Sequence, residues 1–274
     1  MADFTLGHDA EVFVRDIETK KIVPVFGMIG GTKSDPLPVK QGALQEDNVM
    51  AELNIYPAKT AQEFINNTKI VMEELRQKLL PYGNEPHIAP VWDNVNNHAL
   101  NTAMMEAFGR IIPEDEQFGC EPDYCAWKLV ENDPINLVGE SFRFCGGHIH
   151  IGVPFSEDQW KVVRLVRLLD LTLLTGLRIL FGTNKRDPHY GMPGRHRPKE
   201  YGVEYRSPSN QWLLYENVQE WIHKVVSVCV NRVEAGEEGE EVQHDNPLLL
   251  KKLRLYPSRV YSEMLPGIPL PTIE

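Results

Sequence analysis

The chain has 274 residues, 42% hydrophobic and 24% charged, with a formal net charge of −11. That composition belongs to a folded globular chain and not to a disordered one, and its acidity argues against a general nucleic-acid or anionic-membrane binder. The length suits one large domain, 1–274, with a core that needs no covalent staples.

The first residues carry neither a basic start nor an apolar run, so no secretion signal is expected and a cytoplasmic location is. Ala10 to Val14 and Ile22 to Phe26 bracket a charged turn and predict a hairpin. Val49 to Tyr56 predicts a third strand. The stretch Gly27-Met28-Ile29-Gly30-Gly31 is glycine-rich but lacks the lysine and following helix of a phosphate loop. Thr60 and Glu63 form a capping box for a helix with Phe64, Thr68, Val71, Leu75 and Leu79 on one face, ended by Pro81. A second helix is expected over Asn97 to Phe108, then an irregular acidic segment over 113–134.

Cys145 to Gly152 reads as a strand in which His148 and His150 share one side while Ile149 and Ile151 face the core. The neighbouring glycines suggest close approach of a ligand to the backbone. Ser156 and Gln159 are the expected caps of a long apolar helix from Trp160 to Phe181. Its charges at Arg164, Arg167, Asp170 and Arg178 mark it as buried and amphipathic, not membrane-spanning. A glycine- and proline-rich loop over 183–201, a strand over 203–206 and a final helix starting at Ser209 and running through Trp212, Val218, Ile222 and Val225 follow. Residues 235–241 read as a solvated acidic end. Cys120, Cys125, Cys145 and Cys229 lack CxxC spacing and are expected to be free thiols. Strands and helices alternate without βαβ regularity, which predicts an α+β fold with a largely antiparallel sheet.

Four strands each carry polar groups two residues apart: Asp9 and Glu11, Glu52 and Asn54, His148 and His150, Glu204 and Arg206. Side chains at that spacing share a sheet face. If the strands are neighbours, the carboxylates gather where mutual repulsion favours a hard divalent cation. The alternative for any one pair is the wet side of a half-exposed sheet. The loop over 183–201 has five basic residues (Lys185, Arg186, Arg195, Arg197 and Lys199) against two acidic ones. Such charge suits a phosphate chain, and equally a solvated loop.

The segments GHDAEVFV, EDNVMAELN, GGHIHIG and GVEYRSPSN, in that order, resemble the carboxylate-amine ligases (amidoligases) of bacteriophages, a branch of the glutamine synthetase and glutamate-cysteine ligase superfamily; FGCEPDYCAW also resembles that branch. The resemblance runs from Gly7 to Asn210. It implies a glutamine-synthetase-type catalytic domain with a curved sheet and helices on its outer face. It also implies ATP held with two or three Mg2+ or Mn2+ ions. By the same resemblance Glu11, Glu52, His148 or His150, and Glu204 are metal ligands, with Asp9 and Glu46 as additions to that set; His150, Asn54, Lys185 and Arg186 are the candidates for contact with the nucleotide from their spacing and charge. Arg206, Arg195 and Arg197 would neutralise the transferring phosphoryl group.

A substrate carboxylate would attack the γ-phosphate, and an amine would displace phosphate from the acyl phosphate, with Glu46 or Asp47 as base. The carboxylate and amine substrates implied are a peptide, a cell-wall component or a modified nucleobase; neither a membrane nor a polynucleotide is expected. Asp9 stands where glutamine synthetases have a glutamate, which leaves the metal count open. An assembly smaller than the rings of glutamine synthetases is expected. The competing readings are a zinc hydrolase built on the HxH strand, a kinase that stops at phosphoryl transfer, and a nucleotide-binding protein without catalysis.

Overall fold

The computed structural model describes residues 3–109, 122–135, 137, 140–243 and 247–273. The expected hairpin and third strand are present, but the first strand is longer than its apolar run suggests. β1 (Thr5–Asp16) pairs antiparallel with β2 (Ile22–Val23). Pro24, Val25 and Phe26 leave the ladder, as the ring of Pro24 has no N–H to contribute. β3 (Leu37–Val39), β4 (Gly42–Asp47) and β5 (Met50–Ile55) continue the sheet. β6 (Asn84–His87) pairs with the second half of β1, and β7 (Val91–Asp93) stands apart from it.

Later come β8 (Tyr124–Cys125), β9 (Val130–Glu131), β10 (Phe142–Phe144), β11 (Ile149–Gly152), β12 (Arg195–Lys199) and β13 (Gly202–Tyr205). Among the described residues one sheet runs in the order β3-β4-β5-β1-β11-β13-β12-β8-β9, with β2 and β6 added on β1, while β7 and β10 make a separate pair. All these pairings are antiparallel. The fold is α+β.

Alternation along the strands sets what each face does. Leu6, Ala10, Val12, Leu53, Ile149, Ile151, Val203 and Tyr205 are fully buried and join one core cluster with the helices. α1 (Ala61–Leu79) begins at the Thr60–Glu63 capping box and buries the five predicted residues together with Ile65. α2 (Asn97–Phe108) has the predicted limits. α3 (Gln159–Leu169) passes through a π-helical turn (Asp170–Leu174) into α4 (Thr175–Phe181), closed at Gly182. Its cap is Asp158, whose carboxylate accepts from the amides of Trp160 and Lys161 at 3.1 Å. The expected caps are not used, because Gln159 turns back to donate to the Ser156 carbonyl.

α5 (Glu216–Ala235) starts at Tyr215, after a 3-10 turn (Asn210–Leu214) that holds Trp212, and not at Ser209. The acidic end is only partly solvated, since Glu238 is buried against Arg164 at 3.0 Å. α6 (Pro247–Leu255) and α7 (Pro257–Met264) complete the described chain. α1 packs on β4, β5 and β6, and α3 on β12, β13 and α5. Cys125, Cys145 and Cys229 are buried free thiols, while Cys120 lies outside the described residues. No helix among the described residues is long and apolar enough to cross a membrane.

The capping box offers a test of the helix layer alone. Thr60→Ala is expected to lower the unfolding free energy by about 1 kcal/mol, read as a lower urea midpoint with an unchanged m-value.

Candidate active site

The register of β1 places the polar pairs opposite one another. Asp9 faces Asn54 and Glu11 faces Glu52 across β5, while Gly7 faces His150 across β11. His150 in turn faces Glu204 on β13, and Glu204 faces Arg197 on β12. The strands are neighbours, so the four i, i+2 pairs meet on the sheet face opposite the helix layer.

The face holds two groups of ligand atoms, each group lying within 4.8 Å: Asp9, His148 and Glu204, and Glu11, Asp47 and Glu52. In the first, His148 Nδ1 is 3.1 Å from Asp9 Oδ1 and 3.9 Å from Glu204 Oε1. His150 Nε2 reaches the other Asp9 oxygen at 3.1 Å, and the Tyr201 hydroxyl lies 2.6 Å from His150 Nδ1. Glu204 is surrounded by cations: Arg197 donates to both its oxygens at 3.0 Å, Lys199 Nζ is 3.0 Å away, and Arg206 makes a short contact. Burial and Asp9 would raise its carboxyl, but Arg206, His148 and Arg197 hold it at about 2. Burial also works against ionisation of Asp9, yet His150 and His148 keep it well below the usual carboxylate range. Burial, then Arg206, lowers the His148 imidazole to about 4.

The second group lacks such compensation. Burial, then the neighbouring Asp47, pushes Glu11 up to about 8, although the Gly146 amide donates to it at 2.5 Å. Burial and the charges of Asp9, Asp47 and Glu11 raise Glu52 well above its ordinary value. Asp47 is also raised by burial, against the pull of Lys33. Asn54, on the same face, donates to Glu52 at 3.2 Å.

These donor sets fit hard divalent cations, because five of the six groups are carboxylates and the buried Nε2 of His148 has no hydrogen-bond partner. They fit zinc poorly. Only one of the two histidines of the HxH strand joins a ligand group, and Asp9 sits between the two rings.

Arg195 and Arg197 lie on β12 and not in an irregular loop. Pro198 is tolerated there because β8 spans only Arg195 and His196. Arg195 donates to both oxygens of Asp123 at 2.9 Å, and Arg206 Nε approaches the same carboxylate at 3.3 Å. Three guanidinium groups surround the Tyr190 ring: Arg186 at 4.8 Å, Arg206 at 5.1 Å and Arg195 at 5.8 Å from its centre. Asp123, Tyr190 and the Tyr201 hydroxyl were not expected here. They come from turn-rich segments with no periodicity to mark them.

Three expected site residues stand elsewhere. Glu46 points away from Gln45 and Asp47 by strand alternation, and its carboxylate accepts from the amides of Gly27 and Ile29 at 2.9 Å and of Gly30 at 3.3 Å. That bond set accounts for the glycine-rich stretch and removes Glu46 as a base. Arg186 is fully buried and donates to the carbonyls of Ser207 at 2.8 Å and Arg206 at 3.1 Å, so it orients the Arg206 strand end and does not reach for a nucleotide. Lys185 is exposed and pairs with Asp93 at 2.7 Å, outside the cluster. The glycines beside His148 serve packing: a Cβ at Gly146 would overlap the His148 ring, and one at Gly147 the Ser209 carbonyl.

Residues 126–245 match the model of a family described as Phage phiEco32-like COOH.NH2 ligase-type 2. That segment is similar to the phage-type carboxylate-amine ligases. It contains His148, His150, Arg195, Arg197, Glu204 and Arg206, and over this segment the family resemblance drawn from the motifs is borne out, while the motifs at 7–14 and 46–54 lie outside the match. Among solved structures, one described as a novel glutamine synthase homolog is similar at 10% identity and a TM-score of 0.35, covering 97% of this chain and 68% of that one. No curated protein matches.

The under-compensated carboxylates make a pH test. A folded-state value of about 8 for Glu11, above the unfolded value of 4.5, means that the folded protein holds the extra proton between those limits. Its contribution to stability is therefore present at low pH and is lost as pH rises toward about 8. In metal-free protein, Glu11→Gln is expected to gain stability relative to wild type across that rise, measured as the difference in melting temperature at successive pH values. A constant difference from pH 4 to pH 9 would show that Glu11 is not the strained group.

Proposed function

We propose that the chain is an ATP-dependent carboxylate-amine ligase that works through an acyl phosphate and releases ADP and phosphate. The observation that carries this reading is the meeting, on one sheet face, of two groups of metal-ligating side chains with the guanidinium groups of Arg206 and Arg197. Phosphoryl transfer needs charge neutralisation more than covalent chemistry, and the family of residues 126–245 joins carboxyl to amino groups by its description.

Asp9, His148 and Glu204 would hold one cation, and Glu11, Asp47 and Glu52 another. When bound, Mg2+ or Mn2+ supplies positive charge against the phosphate oxygens. Arg206 and Arg197, now occupied by Glu204, exchange part of that contact for phosphate, and Asp123 keeps Arg195 and Arg206 aligned. The substrate carboxylate attacks the γ-phosphorus, ADP leaves, and the amine nitrogen displaces phosphate from the acyl carbon. Asp47 is the half-buried member of its group and accepts the amine proton.

Two measurements test this reading. ATP binding should require Mg2+ or Mn2+ and disappear in excess chelator. With the right carboxylate, hydroxylamine should trap a hydroxamate with ADP as co-product, whereas AMP and pyrophosphate would overturn the acyl-phosphate route. Glu52→Gln and Arg206→Lys should each slow turnover by on the order of 100-fold while the protein remains folded, the lysine failing through loss of bidentate geometry.

A further inference from the structure

The sheet alone does little to hold Asp123 against Arg195 and Arg206. β8 pairs with β12 through two residues, Cys125 against Arg195 and Tyr124 against His196, and Asp123 lies just before them. Behind this network, on the core side, stands Asp170, fully buried in the π-helical turn between α3 and α4. Its two oxygens accept from different segments, Oδ2 from Trp127 Nε1 and Oδ1 from the Tyr205 hydroxyl, each at 2.6 Å. The Gly194 amide also favours its charged form. Each of these neighbours adjoins the site: Trp127 lies two residues beyond β8, Gly194 precedes Arg195, and Tyr205 separates Glu204 from Arg206. The hydroxyls of Thr175 and Thr172 brace the turn, donating to the carbonyls of Asp170 at 2.8 Å and Leu168 at 2.7 Å. Stability alone does not call for an acid here. A buried carboxyl costs free energy that an apolar residue of similar size would not, and burial pushes this one up to about 7.

We infer that Asp170 is a positioning residue of the site: through Trp127 and Tyr205 it fixes the Asp123 segment against the Glu204–Arg206 strand, and so sets the spacing at which Arg195 and Arg206 share Asp123. That this network receives phosphate rests on the ligase reading. The spacing matters because guanidinium groups bind phosphate through paired, planar contacts that a shift of about 0.5 Å disrupts.

Variants of the full chain test this, with Thr60→Ala, a helix cap outside the site, as the control for lost stability. Asp170→Leu removes both bonds. Tyr205→Phe removes one hydroxyl and serves should the leucine variant not fold. Asp170→Asn keeps both bonds, its side-chain amide accepting from Trp127 and donating to the Tyr205 oxygen. Hydrogen exchange is read at Ala126, Asn132 and Arg206, whose amides donate to the carbonyls of Gly194, Asp123 and Arg195. In Asp170→Leu or Tyr205→Phe their exchange should quicken by on the order of tenfold, the effect of losing one charge-assisted hydrogen bond, while the β1–β5 ladder is unchanged. Affinity for a non-hydrolysable ATP analogue with Mg2+ should fall by a similar factor, and Asp170→Asn should recover most of both. Unchanged exchange at the three amides, the same acceleration in Thr60→Ala, or an asparagine variant as impaired as the leucine one would overturn the inference. The wild type separates the two levels. No Mg2+-dependent binding of the analogue, together with the expected exchange pattern, would sink the ligase reading and keep the positioning role. Binding that Asp170→Leu leaves intact would do the reverse.

Discussion

Ionised carboxylates gathered on a buried sheet face repel one another, and the rest of this structure is arranged around that cost. At an effective dielectric near 20, two like charges about 4 Å apart repel by about 4 kcal/mol, a sizeable fraction of a domain's stability of about 5–15 kcal/mol. The molecule answers the problem differently at the two ends of the face. Around Glu204 the answer is permanent, because Arg197, Lys199, Arg206 and His148 all approach it. Around Glu11, Asp47 and Glu52 the described residues supply one backbone amide and two asparagines, Asn48 and Asn54, and the carboxyls hold their protons to unusually high pH. That end is built to gain most from an arriving cation.

The supporting framework is correspondingly stiff. Asp170, in the π-helical turn under the sheet, accepts from Trp127 Nε1 and the Tyr205 hydroxyl, both at 2.6 Å. One carboxylate thus ties the segment bearing Asp123 to the strand bearing Glu204. Burial raises it to about 7 against those two bonds. A π-turn is uncommon in a helix and often lies near a functional site; here it puts an acceptor between two segments that carry site residues.

Much of this was legible from spacing alone. A two-residue period needs no tertiary knowledge to place Asp9 with Glu11 or His148 with His150, and α1 announced itself by cap and apolar stripe. What escaped had no period to read. Asp123 and Tyr190 lie in turn-rich segments and enter the site only because distant strands bring them there. β12 was hidden by Pro198 and by its charges, which look like a solvated loop until Asp123 and Glu204 are placed opposite them. Glu46 misled because proximity to Asp47 in sequence says nothing about side: neighbours on a strand point apart. The glycines at 146 and 147 read as room for a ligand, whereas the neighbours that require them, an imidazole ring and a distant carbonyl, are not visible in a linear sequence.

The even-and-odd alternation of β1 has a consequence for how the chain acquires its chemistry. Asp9 and Glu11 alternate with Ala10 and Val12, which are fully buried in the core on the other side. A slip of one residue against β5 or β11 would turn the acids into the apolar layer and the core residues outward. The charged groups therefore act as register markers, because any pairing slipped by an odd number of residues buries carboxylates among hydrocarbon. A nearly folded chain with its strands out of step would have neither a core nor a site, so the same residues that await a cation also proofread the sheet.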